Sequence, residues 1–259
     1  MDRDRASFIA HASLDICNPV SPAKTDAAID AMLLDAGARV LDIGAGKGEI
    51  LCRVCERFGA TGVAVERSAA CCGAIRERAD ARSLGKRIRV EQRDAGEYVR
   101  ELLDGAAAGE GFDACLCVGS VHALGDLGAA VPILTRLTRP GGLVLLGTGY
   151  WKRPPAPEYL EALGGREDEA MSHGATIEFL VERGLEPLWA ATASDDDWDA
   201  YEWAYFRGAY EHCRAHPEDP DAPAMLERAR AWRRIAQRWG RDTLGFGLYL
   251  ARTGEGAAG

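Results

Sequence analysis

The chain has 259 residues, 47% of them hydrophobic, which suits one α/β domain with an insertion or two small lobes. Its net charge of −9 argues against a general nucleic-acid surface, because phosphate binding needs a basic patch and no run of Lys and Arg stands out. Residues 1–15 lack the apolar core of a secretory signal, and no apolar run approaches the ~18 residues of a membrane span. We therefore expect a cytoplasmic protein with no membrane partner.

Short apolar runs alternate with helical patterns along most of the chain. Strands are predicted over residues 39–44, 62–66, 87–94, 112–119 and 141–149, and helices between them over 47–59, 68–84, 95–103 and 127–138. This alternation predicts βαβ units and a parallel sheet. The strands are nearly all apolar, which is typical of a sheet with helices on both faces.

Two regions interrupt that alternation. Residues 1–36 hold a short polar segment, the loop CNPVSP and a helix predicted from about Pro22 to Leu34. A sixth strand is predicted after Leu185, and a seventh, TLGFGLYLA, comes only near the C-terminus. The residues between these strands carry two helical patterns, which we interpret as a lid over the ligand edge of the sheet. The predicted division is an N-terminal helical cap segment (1–36), a core (37–194), a helical lid insertion (195–240) and the last strand with a tail (241–259).

The sequence VLDIGAGKGE, residues 40–49, carries the strongest chemical signal, because a strand passes directly into a glycine turn and then a helix. Glycines let the backbone turn tightly and let a ligand approach closely. A dinucleotide loop has the pattern G-x-G-x-x-G, but here the third glycine comes one position early and Glu49 replaces the expected one. Asp42 would repel a pyrophosphate. It suits a ligand with a cationic amino-acid part, such as S-adenosylmethionine (SAM).

Three further strand ends carry residues suited to a nucleoside ligand. Glu66 ends the second strand, where a carboxylate can accept hydrogen bonds from both ribose hydroxyls. Asp94 follows the third strand, where it can accept a bond from an adenine amino group. The fourth strand ends in VGSVH, residues 118–122, and the turn RPGG, residues 139–142, leads into the fifth.

Together these motifs resemble those of the class I SAM-dependent methyltransferases, over about residues 39–149. The resemblance implies a Rossmann-like α/β fold with a sheet of seven strands, flanking helices and a helical lid, with SAM as the cofactor. It also implies that Gly44, Gly46 and Gly119 contact the methionine part of SAM and that Asp42 supports the glycine loop and the ammonium. The full implied cofactor site is Asp42, Gly44, Ala45, Gly46, Glu66, Arg67, Asp94, Ala95, Gly119 and Ser120.

The flanks resemble a narrower, uncharacterised group of bacterial small-molecule-type methyltransferases, through ICNPVSP, YWKRPPAPEYLEALG and DDDWDAYEW. The expected activity is transfer of a methyl group from SAM to nitrogen or oxygen of a small-molecule acceptor. Transfer to sulfur, carbon or a metalloid, and a non-catalytic SAM-binding protein, remain alternatives. The glycine spacing argues against a nucleotide-dependent oxidoreductase, and no oligomeric state is predicted.

His122 is the candidate catalytic residue, because it follows the fourth strand, where this fold faces the donor methyl. Histidine is the side chain that most often acts as a general base near neutral pH. The alternative is a structural histidine or a SAM contact. Candidate substrate contacts are His11, Asn18, Tyr150, Trp151, Tyr201 and Glu202. For the aromatic residues the alternative is packing of the lid on the core. Asn18-Pro19 is similar to part of the Asn-Pro-Pro-aromatic motif of amino-group methyltransferases that act on nucleic acid. However, it precedes the glycine loop, and the position of that motif after the fourth strand reads Val-Gly-Ser-Val instead. We therefore reject methylation of adenine in DNA.

The eight cysteines include one C-x-x-C pair, Cys52 and Cys55, but no second pair at zinc-finger spacing. We therefore predict reduced, mostly buried thiols and no metal site.

Overall fold

A computed structural model describes residues 1–105 and 111–255. Its strands form one sheet in the order β3-β2-β1-β4-β5-β7-β6. The strands are β1 (Arg39–Ile43), β2 (Thr61–Glu66), β3 (Ile88–Gln92), β4 (Phe112–Val118), β5 (Thr138–Trp151), β6 (Leu185–Thr192) and β7 (Leu244–Thr253). In this described sheet β7 runs opposite to the other six strands. The predicted seven-stranded α/β fold is confirmed, and the first five strands end at one edge, the carboxyl edge.

Helices cover both faces of the sheet. They are α1 (Arg3–Ala10), α2 (Pro22–Met32), α3 (Glu49–Phe58), α4 (Ala69–Ala81), α5 (Ala95–Gly105), α6 (Leu127–Leu137), α7 (Pro157–Leu163), α8 (His173–Glu182), α9 (Asp195–Ala215), α10 (Ala222–Ile235) and α11 (Arg241–Thr243). A 3-10 turn (Val121–Leu124) follows β4. None of the helices in the described ranges is long and apolar enough to cross a membrane.

Strand β4, at the centre of the sheet, contributes side chains to the hydrophobic cores on both faces of the sheet. Leu116 and Val118 pack with α2, α3 and α4, whereas Cys115 and Cys117 pack with α5, α6 and α8. Successive side chains of a strand point to opposite faces, so a strand buried on both faces must be apolar throughout. Six of the eight cysteines are buried, and Cys17 and Cys71 are half-buried; all eight are free thiols.

A third, smaller core joins the N-terminal helix to the insertion. Ala6 and Ala10 of α1 pack with Ala209 of α9 and Met225 of α10. A Cβ at Gly208 would collide with the carbonyl oxygen of Ala10, so α1 ends directly against the backbone of α9. The small residues at this contact let the two helices approach closely, which fixes where the chain emerges from α1.

The structure corrects several predicted elements. The short polar segment at the N-terminus contains α1, because the Asp2 carboxylate accepts from the amides of Asp4 and Arg5 and caps a helix. Helices α7 and α8, between the fifth and sixth strands, were not predicted. Strand β5 exceeds its predicted range at both ends, because Thr138 pairs with Phe112 of β4 and the far end pairs with β7 as far as Trp151. The second insertion helix ends at Ile235 and continues as a π turn (Ala236–Gly240).

The four-part division of the chain stays a prediction. Helices α9 and α10 fall within its insertion, residues 195–240. Residues 256–259 of its tail lie outside the described residues.

Candidate functional site

The glycine loop, residues 44–48, turns from β1 toward β2 at the carboxyl edge. The amides of Gly44 and Ala45 donate to the carbonyl oxygen of Val65, at 2.9 and 3.2 Å. Glu66 extends this link, since its carboxylate accepts from the amide of Gly46 at 3.0 Å and from that of Ser68 at 2.9 Å. A carboxylate has about four acceptor sites, so Glu66 can hold the loop and still accept hydrogen bonds from a ligand.

The end of β4 is locked against the same loop. The Ser120 hydroxyl donates to the carbonyl oxygen of Ile43 at 2.5 Å, and a Cβ at Gly44 would collide with the Ser120 side chain. The amide of Gly119 donates to the carbonyl of Gly147 at 2.8 Å, and its φ of 74° lies in the left-handed region that favours glycine. The side chain of Ser120 therefore serves the protein's own backbone.

A cavity of about 110 Å³, the glycine-loop cavity, lies between this loop and residues 15–18, which we name the covering segment. Asp42 stands in its wall and is only 4% exposed. Burial, with a smaller contribution from the nearby charge of Glu66, raises the pKa of Asp42 to about 7. A cationic ligand in this cavity would favour the charged carboxylate.

Asn18 closes the glycine-loop cavity over Gly119. Its side-chain amide donates to the carbonyl oxygen of Val118 at 3.3 Å. A Cβ at Gly119 would collide with the Asn18 side-chain oxygen, so glycine is required for this contact. The structure therefore brings Asn18, a predicted substrate contact, together with Gly119, a predicted cofactor contact.

Lys47 is a site residue that sequence reasoning missed. It lies in the wall of the glycine-loop cavity, is 8% exposed, and donates to backbone carbonyls just before the covering segment. The signal was available, because Lys47 is one of only four lysines in an arginine-rich chain and stands inside the glycine loop.

A second and larger cavity, the β4–β5 cavity, lies beside the first and has a volume of about 730 Å³. Gly119 borders both cavities. His122 is exposed and lies in the wall of the larger one with Thr148 and Phe246. The connection between α7 and α8 adds Arg166, and with it Asp168, Glu169 and Met171. The His122 imidazole therefore lies beside the β4–β5 cavity, which meets the glycine-loop cavity at Gly119.

Five predicted cofactor residues line neither cavity, namely Glu66, Arg67, Asp94, Ala95 and Ser120. The exposed carboxylate of Asp94 accepts from the amide of Glu97 at 3.0 Å and so begins α5, while Ala95 is buried. Arg67 follows Glu66 and pairs with Asp4 at 2.9 Å. Because β3 lies next to β2, Asp94 follows the strand beside Glu66.

His11 and Tyr201 join the N-terminal region to the insertion. The ring nitrogen Nε2 of His11 lies 2.9 Å from the Tyr201 hydroxyl, and its Nδ1 lies 2.8 Å from the Ser7 carbonyl oxygen. Burial lowers the pKa of His11 and raises that of Tyr201. Among the described residues, none from 195 to 240 lines either of the two cavities. The insertion thus supports the chain just before the covering segment.

The remaining predicted substrate residues lie apart from both cavities. Tyr150 packs against Gly245 and His173. The indole of Trp151 donates to the Glu167 carbonyl at 2.8 Å. Glu202 accepts from the Trp232 indole at 2.8 Å in a separate small cavity, where burial raises its pKa to about 7.

Comparison with known proteins decides the family. A profile of the methyltransferase domain matches residues 21–220. The chain belongs to the methyltransferase domain family. The uncharacterised protein YjhP of Escherichia coli K12 is 26% identical over 258 residues, which cover 96% of this chain and 98% of that protein.

Solved structures agree with the family assignment. A SAM-dependent methyltransferase from Thiobacillus denitrificans, in complex with S-adenosyl-L-homocysteine (SAH), is 26% identical with a TM-score of 0.85 and covers 97% of this chain and 99% of its own. One from Geobacter sulfurreducens, also with SAH, has the same fold at 24% identity, a TM-score of 0.85 and coverage of 95% and 97%. The resemblance to SAM-dependent methyltransferases is confirmed, and with it the expected enzyme class and cofactor.

Proposed function

We propose that this methyltransferase transfers the methyl group of SAM to a nitrogen or oxygen atom of a small-molecule acceptor. The observation that carries the proposal is the β4–β5 cavity, which meets the glycine-loop cavity at Gly119 and has His122 in its wall. Its volume of about 730 Å³ falls within the range of ordinary small-molecule sites, ~300–1,000 Å³. The acidic net charge of −9 disfavours a nucleic-acid acceptor.

The methyl donor SAM fits the glycine-loop cavity, on the other side of Gly119 from the β4–β5 cavity. Asp42 supplies a buried carboxylate for the ammonium of the methionine part, and the amides of the glycine loop lie beside it. The free acceptor sites of Glu66 suit the ribose hydroxyls. Asp94 follows the neighbouring strand and suits the adenine amino group. In this placement the sulfonium lies near Gly119, between the two cavities.

Methyl transfer demands little of the protein beyond positioning and the exclusion of water. SAM supplies a methyl group that the sulfonium charge already activates. The lone pair of the acceptor atom forms a bond to the methyl carbon, the carbon–sulfur bond breaks, and its electron pair stays on sulfur, so SAH leaves as a neutral thioether. An acceptor that carries N–H or O–H then loses a proton, and the His122 imidazole takes it.

The experiment is acceptor-dependent turnover of labelled SAM across a panel of small metabolites with matched amine, hydroxyl, thiol and carbon nucleophiles. We expect label in an amine or hydroxyl product. Label only in a thiol or carbon product would overturn the choice of acceptor atom. No acceptor-dependent loss of SAM across the panel would instead favour a SAM-binding protein without transferase activity.

The variant His122→Ala tests the base. We expect SAM affinity within twofold of wild type and turnover slowed about a hundredfold, since general bases contribute ~10²–10⁴-fold. His216→Ala is the matched control, because His216 is exposed just beyond the end of α9. Weaker SAM binding with unchanged turnover of bound SAM would make His122 a cofactor contact.

A further inference from the structure

The ammonium of Lys47 contacts the chain that leads into the covering segment. Its Nζ donates to three backbone carbonyls, those of His11 at 2.6 Å, Ala12 at 3.3 Å and Leu14 at 3.0 Å. The same ammonium lies 5.3 Å from the centre of the Phe8 ring. One side chain of the glycine loop thus meets the end of α1 and the turn that follows it.

These three carbonyls lie at and just beyond the end of α1. His11 is the C-cap residue of α1, and its carbonyl also accepts from the amide of Leu14 at 2.9 Å. Carbonyls at the end of a helix have no partner within the helix. A cation near the C-terminus of a helix is also favoured by the helix dipole. Lys47 therefore satisfies the end of α1, and the chain leaves that point toward the covering segment in a fixed direction.

A second cation holds the covering segment from the other side. The Arg78 guanidinium donates to the carbonyl oxygen of Lys47 at 2.8 Å and to the Asp15 carboxylate at 2.5 Å. It also lies 3.0 Å from the carboxylate of Glu49, which is only 3% exposed. Asp15 begins the covering segment and Glu49 follows the glycine loop, so Arg78 joins the two walls of one cavity.

The covering segment is also held by Ile16, which is buried in the main core. Its far end rests on Asn18, which donates to the Val118 carbonyl at 3.3 Å and lies on Gly119. The cavity volume of about 110 Å³ is well below the ~300–1,000 Å³ of whole-ligand sites, so it suits only one end of the cofactor. In the proposed placement that end is the methionine part, which lies beneath the covering segment.

We propose that Lys47 is a positioning residue that clamps the covering segment over the methionine end of SAM, and that release of this clamp limits the exchange of SAH for SAM. The proposal rests on the SAM site of the proposed function and adds a route for cofactor exchange to it. Lys47 acts through the backbone of residues 11–14 and does not touch the reacting atoms. Asn18 completes the closure at the end of β4.

The experiment compares Lys47→Met with Lys86→Met in the full chain. Lys86 is exposed at the opposite edge of the sheet, before β3, so the control makes the same chemical change away from the clamp. We expect Lys47→Met to release SAH at least tenfold faster and to weaken SAM binding by a similar factor. Hydrogen exchange of the amides of residues 11–18 should accelerate, while exchange in the strands stays as in wild type. Lys86→Met should match wild type throughout.

A purely structural role for Lys47 would lower Tm and raise exchange across the whole domain with no selective change in SAH release, which would overturn the proposal. So would unchanged SAH release in Lys47→Met. If Lys47→Met does not fold, Asn18→Ala tests the same closure from its other end, with an expected two- to fivefold faster SAH release. Unchanged release there would then count against the clamp. None of these measurements needs an acceptor, so they stand even if the proposed small-molecule acceptor is wrong.

Discussion

The two cavities at the carboxyl edge are built in different ways. The glycine-loop cavity is small, has the buried Asp42 in its wall and lies against backbone that is fixed by hydrogen bonds to neighbouring strands. The β4–β5 cavity is nearly seven times larger and is bordered by exposed charged residues, including Asp126, Arg166 and Glu169. Loops carried by a rigid scaffold vary more readily than strand ends. If SAM and the acceptor bind as proposed, this difference means that the strand ends of the sheet recognise the donor and that the attached loops select the acceptor.

Among the substitutions that test this difference between the two cavities, we expect Glu66→Ala to have the largest effect on SAM affinity. The substitution removes the acceptors of the Gly46 and Ser68 amides and, in the proposed placement of SAM, the acceptors of the ribose hydroxyls. We expect SAM affinity to fall at least tenfold, about 1.4 kcal/mol or more, because charge-assisted hydrogen bonds are lost. Isothermal titration calorimetry with SAM measures it.

The matched control is Glu169→Ala, which makes the same change at the β4–β5 cavity. It should leave SAM affinity within twofold of wild type. Equal losses from the two substitutions would remove the distinction between a donor side and an acceptor side.

The next largest effect is expected when the SAM affinities of wild type and Asp42→Asn are compared across a pH series. The pKa of Asp42 is raised to about 7, so its carboxyl is largely neutral at pH 6 and charged at pH 8 in the free protein. Because SAM carries positive charge, binding favours the carboxylate, and SAM affinity should rise several-fold from pH 6 to pH 8 in wild type relative to the variant. Calorimetry in buffers of different ionisation heat should also detect proton release on binding at pH 6.

The stability of the free protein should change in the opposite direction. A carboxyl whose pKa is raised on folding contributes stability below its ordinary pKa, and that contribution is lost as the pH rises through about 7. Without SAM, wild type should therefore lose more stability than Asp42→Asn between pH 6 and pH 8. Identical pH profiles for the two proteins, with and without SAM, would show that Asp42 does not titrate in this range.

The sequence predicted the surroundings of the glycine-loop cavity better than the positions of the candidate substrate residues, for physical reasons. The glycines, Asp42 and Glu66 lie at strand ends, whose positions follow from alternation and spacing. Glu202 was a predicted substrate contact, yet it lies against Trp232 in a separate cavity, because helical spacing does not reveal which face of α9 meets which neighbour. The place of Lys47 inside the glycine loop is visible in the sequence, but its partners are backbone carbonyls, which no side-chain pattern displays.

The smallest effect is expected from Tyr201→Phe, which removes the 2.9 Å contact to His11 and nothing else. One hydrogen bond is worth about 1 kcal/mol of unfolding free energy, so Tm should fall by roughly 2–4 °C. SAM affinity should change less than twofold, because Lys47 still holds the chain after α1. Tyr210→Phe, on the exposed side of the same helix, should change neither quantity. If Tyr201→Phe instead slows methyl transfer at unchanged Tm, the Tyr201 hydroxyl contacts the acceptor, and the insertion would belong to the acceptor side of the molecule.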